Sequence, residues 1–437
     1  MPKRFLSCTI KFLFFFLIAV QSTSASAQKP SKTPVVLPGA YRMDIYLPLL
    51  QGKSVAVFAN QTSMIGKSHL VDSLLKHNIR VTKIFAPEHG FRGNADAGES
   101  VNSQKDPKTG IQIISLYGSK LKPSAADLED VDIMIFDIQD VGVRFYTYIS
   151  SLQKYIESAI ENNRPLIIFD RPNPNGFYVD GPVLDPGFKS FVGMQPVPVV
   201  YGMTIGEYAK LLIGEKWLDP SIGADLSIIH AINDAERKID SLIRKQHMQA
   251  VNFDLTDFQL LVIPCLNYTH KSRYALPVAP SPNLPVMQAV WLYPSLCFLE
   301  GTVISLGRGT GKPFQQFGNP NFPASSYHFT PRSTAGAKNP PLLNQTCNGF
   351  DLSRLDLTKN ENKGLQLKWL LKAYALYPKK DEFFLSSGFF NKLAGNSLLM
   401  QQIRDGKSEK EIRESWEPGI KAFKVVRKKY LMYPDFE

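Results

Sequence analysis

The stretch VDIMIFD, residues 131–137, is a short apolar run that ends in an acidic residue. Runs of this kind, too short for a typical helix, are typical of strands that are buried on both faces of a sheet. Similar runs recur along the chain: SVAVFAN (54–60), RVTKIFA (80–86), IQIISLY (111–117), PLIIFD (165–170) and FQLLVIP (258–264). The sequence therefore predicts buried strands at each of these positions.

Helical periodicity lies between several of the predicted strands. Apolar residues recur at three- and four-residue spacing in KSHLVDSLLKHN (67–78), TYISSLQKYIESAIENN (147–163) and TIGEYAKLLIGEKW (204–217). Strands that alternate with helices imply a mostly parallel sheet with helices on both faces. We therefore predict an α/β protein with a Rossmann-like sheet.

The N-terminal residues have the pattern of a secretory signal peptide. Lys3 and Arg4 precede an apolar run at residues 12–20, and Ala27 ends a small-residue segment typical of a cleavage site. The run is too short to span a bilayer. We predict a signal peptide at residues 1–27, no membrane anchor, and an exported, periplasmic or extracellular protein.

The composition changes near residue 300. Pro and Gly cluster in the segment that follows, and beyond it the chain becomes helical and charged. We predict a Rossmann-like catalytic domain at residues 28–300. A smaller C-terminal α/β domain at residues 301–437 is expected to complete the cleft.

Charge and motifs argue against several classes of ligand. The net charge of +11 is not accompanied by a nucleic-acid-reading motif, and a basic balance fits anionic glycans better. QTSMIGKS (61–68) and GRGTGK (307–312) each lack a glycine that a nucleotide-binding loop requires. The seven histidines show no paired metal-ligand spacing. We therefore predict neither a cofactor nor a metal, and no nucleic-acid partner.

The cysteines that follow the predicted signal peptide, Cys265, Cys297 and Cys347, allow one disulfide at most. Their spacing suggests neither a zinc site nor a redox pair. We expect buried, free thiols.

Acidic residues follow the predicted strands. Glu88, Asp137, Asp140 and Asp170 each lie at or just beyond the end of an apolar run. Ligands of open parallel sheets bind in the crevice outside the carboxyl ends of the strands, so these acids are expected to meet at one edge. Asp137 and Asp170 fit structural roles better, since Asp170 precedes the turn sequence RPNPNG.

Glu88 is the strongest catalytic candidate, because it shares a short Gly-bounded loop with His89 and Arg92. A glutamate beside an imidazole suits general acid work, and His89 could tune it or merely fix the loop. Arg92 and Arg144 are candidates for binding a substrate carboxylate bidentately. Asp140 is a catalytic candidate as well, although a buried ion pair between Asp140 and Arg144 fits the sequence equally well.

A set of motifs spans essentially the whole chain beyond the signal segment. They are FAPEHGFRG, AGES, SLYG, FDIQDVGVRFYTY, DRPNPNG with DGPVL, YGMTIGEYAKLL, PSPNLP, YPSLCFLEGTVISLGRGT and the C-terminal GKSEKEIRESWEPGIKAFKVVRKKYLMY. In this order they resemble the exo-β-N-acetylmuramidase family, known as NamZ or YbbC-like. The resemblance implies a glycoside hydrolase that removes β-1,4-linked N-acetylmuramic acid from the non-reducing end of peptidoglycan fragments.

The resemblance also implies a site between a Rossmann-like domain and a smaller α/β domain. Glu88 matches the family position of the catalytic carboxylate. Other matching positions expected to line the cleft are His89, Arg92, Asp140, Arg144, Tyr146, Asn173, Glu300 and Arg308. Asp140 and Glu300 remain alternatives for a second carboxylate. Tyr201 and Asp180 stand where many relatives have His and Glu, so substrate specificity could differ.

The expected partners are muramyl saccharides derived from peptidoglycan. Their lactyl carboxylate would pair with Arg92, Arg144 or Arg308, which N-acetylglucosamine would leave unpaired. Two other functions stay open on the sequence. One is a non-catalytic cell-wall sugar-binding protein, and the other is a muropeptide-modifying hydrolase that acts on a different bond.

Overall fold

The structure, a computed structural model, describes residues 34–88, 90–91, 104–222, 258–359 and 364–437. The predicted signal peptide lies outside these residues. Within them the helices are α1 (Met43–Leu50), α2 (Leu70–Lys76), α3 (Tyr148–Glu161), α4 (Ile205–Gly214), α5 (Met287–Leu296), α6 (Lys368–Leu376), α7 (Phe389–Ala394), α8 (Leu398–Arg404) and α9 (Glu409–Lys428). The strands are β1 (Ser54–Ala59), β2 (Met64–Ile65), β3 (Ser68–His69), β4 (Arg80–Ala86), β5 (Gln104–Lys105), β6 (Gln112–Ser115), β7 (Ile133–Asp137), β8 (Leu166–Phe169), β9 (Leu260–Ile263), β10 (Gln316–Asn319), β11 (His328–Phe329) and β12 (Cys347–Asp351).

A central sheet contains seven of the described strands in the order β5-β6-β4-β1-β7-β8-β9. All neighbours pair in parallel except β5 and β6. Without the short strand β5, the order corresponds to the 3-2-1-4-5-6 order of Rossmann folds. The sheet confirms the predicted strands at all six positions, and the carboxyl ends of β1, β4 and β7 lie side by side at the centre of one edge.

The two faces of the sheet are covered by different helices, because successive side chains along a strand point in opposite directions. In β1, Val57 packs in a cluster with residues of α1 and α2, whereas Phe58 packs in a cluster with residues of α3 and α4. Both strand residues are fully buried. This arrangement explains why the strands read as continuous apolar runs, and it confirms the mostly parallel sheet with helices on both faces.

The three predicted helices are confirmed as α2, α3 and α4, with ends slightly inside the periodic segments. The start of α4 is fixed by a capping box. The Thr204 side chain accepts from the Glu207 amide, and the Glu207 carboxylate accepts from the Thr204 amide.

The C-terminal part of the chain has its own small antiparallel sheet, in the order β10-β12-β11, followed by α6 to α9. Its hydrophobic residues join the cluster on the α3 and α4 side of the central sheet. This arrangement fits the expected smaller α/β domain, although the boundary at residue 300 stays a prediction. In the described part of the chain, no helix combines the length and apolar character needed to cross a membrane. Cys265, Cys297 and Cys347 are buried free thiols.

Candidate functional site

The loop after β4 carries Glu88 at the carboxyl edge of the sheet. The amide of Gly90 donates to the carbonyl of Pro87 at 3.0 Å, and Gly90 has a φ of 72°. A residue without a Cβ takes up this conformation at little cost, so the chain turns sharply directly after the strand. Glu88 is half-buried at the turn. His89 and Arg92, predicted to act with it, lie outside the described residues.

Two hydroxyl groups contact the Glu88 carboxylate. Thr147 Oγ1 donates to Glu88 Oε2 at 3.2 Å. Thr147 lies directly before α3, so the helix start positions its side chain. Tyr117 is the second contact, and its pKa is raised by burial, by the charge of Glu88 and by a hydrogen bond with Glu88. Tyr117 therefore stays a neutral hydroxyl donor, and the carboxylate is held in a defined orientation.

Glu88 lines a cavity of about 640 Å³. Among the described residues that line this cavity, the other acidic and basic side chains are Glu300 and Arg308. Most of the remaining lining is aromatic or aliphatic. The aromatic members are Tyr117, Phe145, Tyr146, Tyr148, Tyr293 and Phe314. A large, mostly apolar cavity with a few convergent charged groups has the character of a small-molecule binding site.

Glu300 and Arg308 form an ion pair at the wall of this cavity. Glu300 Oε1 accepts from Arg308 Nε at 2.7 Å and lies 2.6 Å from Nη2. Burial lowers the pKa of Arg308, but the Glu300 carboxylate outweighs it and raises the pKa above its ordinary value. Arg308 Nη1 makes no hydrogen bond with the described residues, so this edge of the guanidinium can bind an anion.

A ring contact and hydrogen bonds to neighbouring groups hold Tyr146 and Tyr148 in place at the cavity. Tyr146 and Tyr148 meet edge to face with centroids 4.7 Å apart, and the Tyr146 hydroxyl donates to the carbonyl of Pro280 at 2.9 Å. Tyr148 accepts from Asn60 Nδ2 at 2.9 Å. Burial raises the pKa of both tyrosines. Tyr146 therefore presents a rigid, neutral aromatic surface to the cavity.

Asp140 does not line this cavity, although the sequence predicts a catalytic role for it. Its Oδ2 atom accepts from the Gly142 amide at 2.6 Å and from the Tyr201 hydroxyl. Burial raises the pKa of Asp140 to about 6. The carboxyl group thus holds the loop between β7 and α3, the same loop that carries Tyr146 and Thr147.

Arg144 lies away from the cavity, and its contacts do not fit the predicted carboxylate binding. Its guanidinium is fully buried and donates to the carbonyls of Pro182 and Val197 at 2.7 Å each. It also donates to the carbonyls of Leu393 and Ala394 at 2.9 and 2.8 Å. Burial lowers its pKa to about 9.

These four carbonyls use Nη1 and Nη2 of Arg144, and Asp140 accepts from other groups. The alternative of a buried Asp140–Arg144 ion pair is therefore wrong as well. The guanidinium connects the central domain to the C-terminal end of α7 instead.

Asn173 is also buried outside the cavity. Its Nδ2 donates to the carbonyl of Met203 at 2.7 Å, and its Oδ1 accepts from the amide of Asn175 at 2.8 Å. Gly142 packs so closely against Asn173 that a Cβ at residue 142 would lie 2.1 Å from Oδ1. The Asn173 side chain therefore holds two loops together and does not line the cavity.

The two acids that fit structural roles in the sequence have structural contacts. Asp137 forms a buried bidentate pair with Arg171, with distances of 2.6 and 2.9 Å. Asp170 accepts from the amide of Gly206 at 2.8 Å and from the Tyr433 hydroxyl. Neither residue lines the cavity.

The structure thus brings Glu88, Tyr146, Glu300 and Arg308 to one cavity. Sequence reasoning did not single out Tyr117, Thr147, Asn283 and Tyr293, which line it too. All four lie in quoted motifs, namely SLYG, RFYTY, PSPNLP and YPSLCFLEGTVISLGRGT, but a string of residues does not show which side chain turns inward. In the sequence, membership of these motifs was the only indication that the residues belong to the site.

Comparisons with known proteins agree along the whole chain. Residues 55–288 match the family described as exo-β-N-acetylmuramidase NamZ, N-terminal, and residues 291–433 match its C-terminal counterpart. The peptidoglycan β-N-acetylmuramidase NamZ of Bacillus subtilis (strain 168) is 36% identical over 439 residues, which cover 96% of this chain and 97% of that protein.

Two crystal structures of DUF1343 family proteins from Bacteroides fragilis NCTC 9343 have the same fold. One is 44% identical, with a TM-score of 0.78, and the match covers 92% of this chain and all of that chain. The other is 24% identical, with a TM-score of 0.71 and coverage of 91% and 99%, and shows likeness of fold alone.

Proposed function

This chain belongs to the exo-β-N-acetylmuramidase NamZ family of glycoside hydrolases, and we propose that it releases β-1,4-linked N-acetylmuramic acid from the non-reducing end of peptidoglycan fragments. The observation that carries the proposal is the cavity that joins Glu88 with the Glu300–Arg308 pair. It combines a carboxylate, a cation and aromatic walls. Those are the groups that cleavage of an anionic sugar requires.

Glu88 is proposed as the catalytic carboxylate. Glycoside hydrolysis usually needs one carboxyl group that transfers a proton to the leaving oxygen, against an oxocarbenium-like transition state. Glu88 is oriented by Thr147 at 3.2 Å and by Tyr117, and it lies at the end of a rigid central strand. Proton transfer depends on such positioning as much as on acidity.

Glu300 is a better candidate than Asp140 for a second carboxylate. It lines the cavity with Glu88, and its carboxylate forms an ion pair with Arg308. An ionised carboxylate near the reacting carbon would stabilise the developing positive charge or activate a water molecule. Among the described residues, the Asp140 carboxyl group accepts hydrogen bonds from its own loop and from Tyr201, and we assign it to holding that loop.

Arg308 is proposed to recognise the lactyl carboxylate of muramic acid. Glu300 occupies its Nε and Nη2 edge, and the Nη1 donors remain for a substrate. N-acetylglucosamine lacks the carboxylate and would leave these donors unpaired in a desolvated cavity, which costs binding energy. Selection for muramic acid follows from that difference.

The proposal includes export and cell-wall turnover or scavenging, because the predicted signal peptide would bring the enzyme to its substrate. N-terminal sequencing of the protein recovered from a periplasmic or culture fraction tests this part. A start at Gln28 would support it. Recovery of an uncleaved chain from the cytoplasm alone would contradict it.

Purified protein should be incubated with a chromogenic N-acetylmuramide and with the matching N-acetylglucosaminide. We expect the chromophore to be released from the first far faster than from the second, and mass spectrometry of oligosaccharide digests should show free N-acetylmuramic acid. Binding without release would favour a sugar-binding protein. A product that has lost lactate or a peptide, with the glycosidic bond intact, would favour the muropeptide-modifying alternative.

A further inference from the structure

A second cavity, of about 430 Å³, lies on the opposite side of α5 from the catalytic cavity. Tyr293 of this helix lines the first cavity, and Trp291 lines the second. Residues two positions apart on an α-helix point about 200° apart, so the helix separates the two spaces. The described side chains that line the second cavity are Asn175, Phe177, Tyr178, Arg273, Trp291, Leu357 and Thr358.

Three aromatic rings line this cavity and give it apolar walls. The rings of Phe177 and Tyr178 have centroids 5.0 Å apart and an interplanar angle of 36°. Trp291 is half-buried, and its Nε1 donates to the carbonyl of Pro174 at 3.3 Å. Rigid aromatic rings of this kind offer a large contact area, which matches the apolar face of a pyranose ring.

Arg273 gives the cavity an uncompensated positive charge. Its guanidinium carbon lies 3.3 Å from the centroid of the Phe177 ring. It forms no hydrogen bond or ion pair with the residues that the structure describes, and no other described lining residue is charged at neutral pH. By contrast, the nearby Arg413 is paired with Asp180 at 2.9 Å. A guanidinium that is stacked on a ring keeps its edge donors directed outward, where they can bind a carboxylate.

We propose that this cavity is a second, non-catalytic site for an N-acetylmuramoyl residue of peptide-free peptidoglycan glycan. The sugar ring lies against Tyr178 and Trp291, and the lactyl carboxylate binds Arg273, whose guanidinium lies over the Phe177 ring. The choice of sugar rests on the proposed function, whereas the preference for an anionic ring follows from the cavity itself. A site of this kind would hold a glycan strand that is not being cleaved.

The probe is the peptide-free disaccharide that has N-acetylglucosamine at the non-reducing end and N-acetylmuramic acid at the reducing end. An exo-muramidase has no terminal muramic acid to remove from it, so calorimetry measures binding without turnover. We expect Arg273→Met to raise Kd about tenfold or more, because charge-assisted hydrogen bonds are lost. Arg273→Lys keeps the charge and should stay within about threefold of the unmodified protein.

Arg308→Met is the matched control, because it removes the same kind of side chain from the catalytic cavity. It should leave the Kd for the disaccharide within about twofold. Hydrolysis of the chromogenic muramide should show the reverse pattern, unaffected by Arg273→Met and reduced by Arg308→Met. Thr358→Glu places an acid at the exposed edge of the second cavity, and like-charge repulsion should raise Kd there too. If Arg273→Met does not fold, the Kd of the disaccharide for Thr358→Glu tests the site instead, and an unchanged Kd would count against it.

Three results would overturn the proposal: no binding of the disaccharide to the unmodified protein, an unchanged Kd in Arg273→Met, or an equal loss in Arg308→Met. Chitobiose, which lacks the carboxylate, should bind about tenfold more weakly than the probe, and equal affinity would also count against the site. Absence of muramide hydrolysis in the unmodified protein would refute the catalytic proposal alone. The binding comparison does not depend on turnover.

Discussion

Thr147 Oγ1 lies 3.2 Å from Glu88 Oε2 and connects the loop after β4 to the start of α3. The two residues are far apart in the chain, but β4 and β7, which flank β1 in the central sheet, bring them to one edge. The contact positions a carboxylate with a hydroxyl group that has little freedom of its own, because Thr147 is held by the helix that follows. It helps to give the Glu88 carboxylate a defined orientation at the cavity.

Glu88→Gln should abolish most of the hydrolysis of a chromogenic N-acetylmuramide while leaving the fold intact. Glutamine keeps the shape and can still accept from Thr147, but it cannot transfer a proton. We expect kcat to fall by about 10²- to 10⁴-fold, the range of general acid–base contributions. Steady-state kinetics measure this, with unfolding midpoints as the control. Full activity in the variant would refute the role of Glu88.

Thr147→Val should lower kcat by about tenfold with little change in KM. Valine has a similar shape but no hydroxyl group, so Glu88 loses a hydrogen bond that orients it, and bonds to charged groups contribute about 1.5–3 kcal/mol. Thr147→Ser keeps the hydroxyl and should restore most of the rate. If serine lowers the rate as much as valine does, the hydrogen bond to Glu88 does not determine the effect.

Arg144→Met should destabilise the protein rather than alter substrate selection. It removes a donor from four carbonyl groups, two of them in the C-terminal helices, and the carbonyl of Val197 still accepts from the Leu184 amide at 3.2 Å. Each unsatisfied buried acceptor costs about 1–3 kcal/mol, so the free energy of unfolding should fall by at least about 3 kcal/mol. Urea unfolding tests this against Arg354→Met, an exposed control expected within about 0.5 kcal/mol. If Arg144→Met is stable but no longer prefers muramic acid over N-acetylglucosamine, the result would instead support carboxylate binding by Arg144.

Most of the fold could be predicted from sequence, because the signal for a buried strand is local. The run at 131–137 is apolar throughout its centre, and both faces of β7 are indeed buried. The same reasoning located Glu88, since a strand end in a parallel sheet defines where a ligand binds. Both inferences need only neighbouring residues and a general rule of topology.

The contacts of Arg144 and Asp140 could not be predicted in this way. The carbonyls that accept from Arg144 lie between 38 and 250 residues away in the chain, and every residue has a carbonyl. Nothing in the sequence distinguishes those four. An arginine near an aspartate suggests an ion pair from composition alone, whereas the packed loops bring Tyr201 to Asp140 instead.

Arg308→Met should reduce the preference for muramic acid over N-acetylglucosamine. The variant lacks the Nη1 donors that are free to bind the lactyl carboxylate, and we expect kcat/KM for the muramide to fall about 10- to 100-fold. The slow reaction with the glucosaminide should change far less. The ratio of the two values is the relevant measurement, with Arg354→Met as the control. An unchanged ratio would show that the carboxylate binds elsewhere.

Asp140→Asn should change how stability depends on pH. Burial raises the pKa of Asp140 to about 6, whereas an unfolded chain has an aspartate pKa near about 3.9. Between these values the folded protein keeps a proton that the unfolded chain releases, so the contribution of Asp140 to stability falls as pH rises from about 4 to 6. A difference of about 2 pKa units corresponds to about 3 kcal/mol.

Asparagine cannot titrate, and its side-chain oxygen can still accept from Gly142 and Tyr201. The free energy of unfolding of the unmodified protein, minus that of Asp140→Asn, should therefore decrease by about 3 kcal/mol from pH 4 to pH 6 and level off above it. Tyr201 and Tyr208 beside Asp140 stay neutral throughout, because burial raises their pKa values. Asp170, whose pKa burial raises to about 7, titrates in both proteins and cancels in the difference. Urea unfolding at several pH values measures this difference. A constant value from pH 4 to 7 would mean that Asp140 is ionised in the folded protein, contrary to a role as a neutral group that holds its loop.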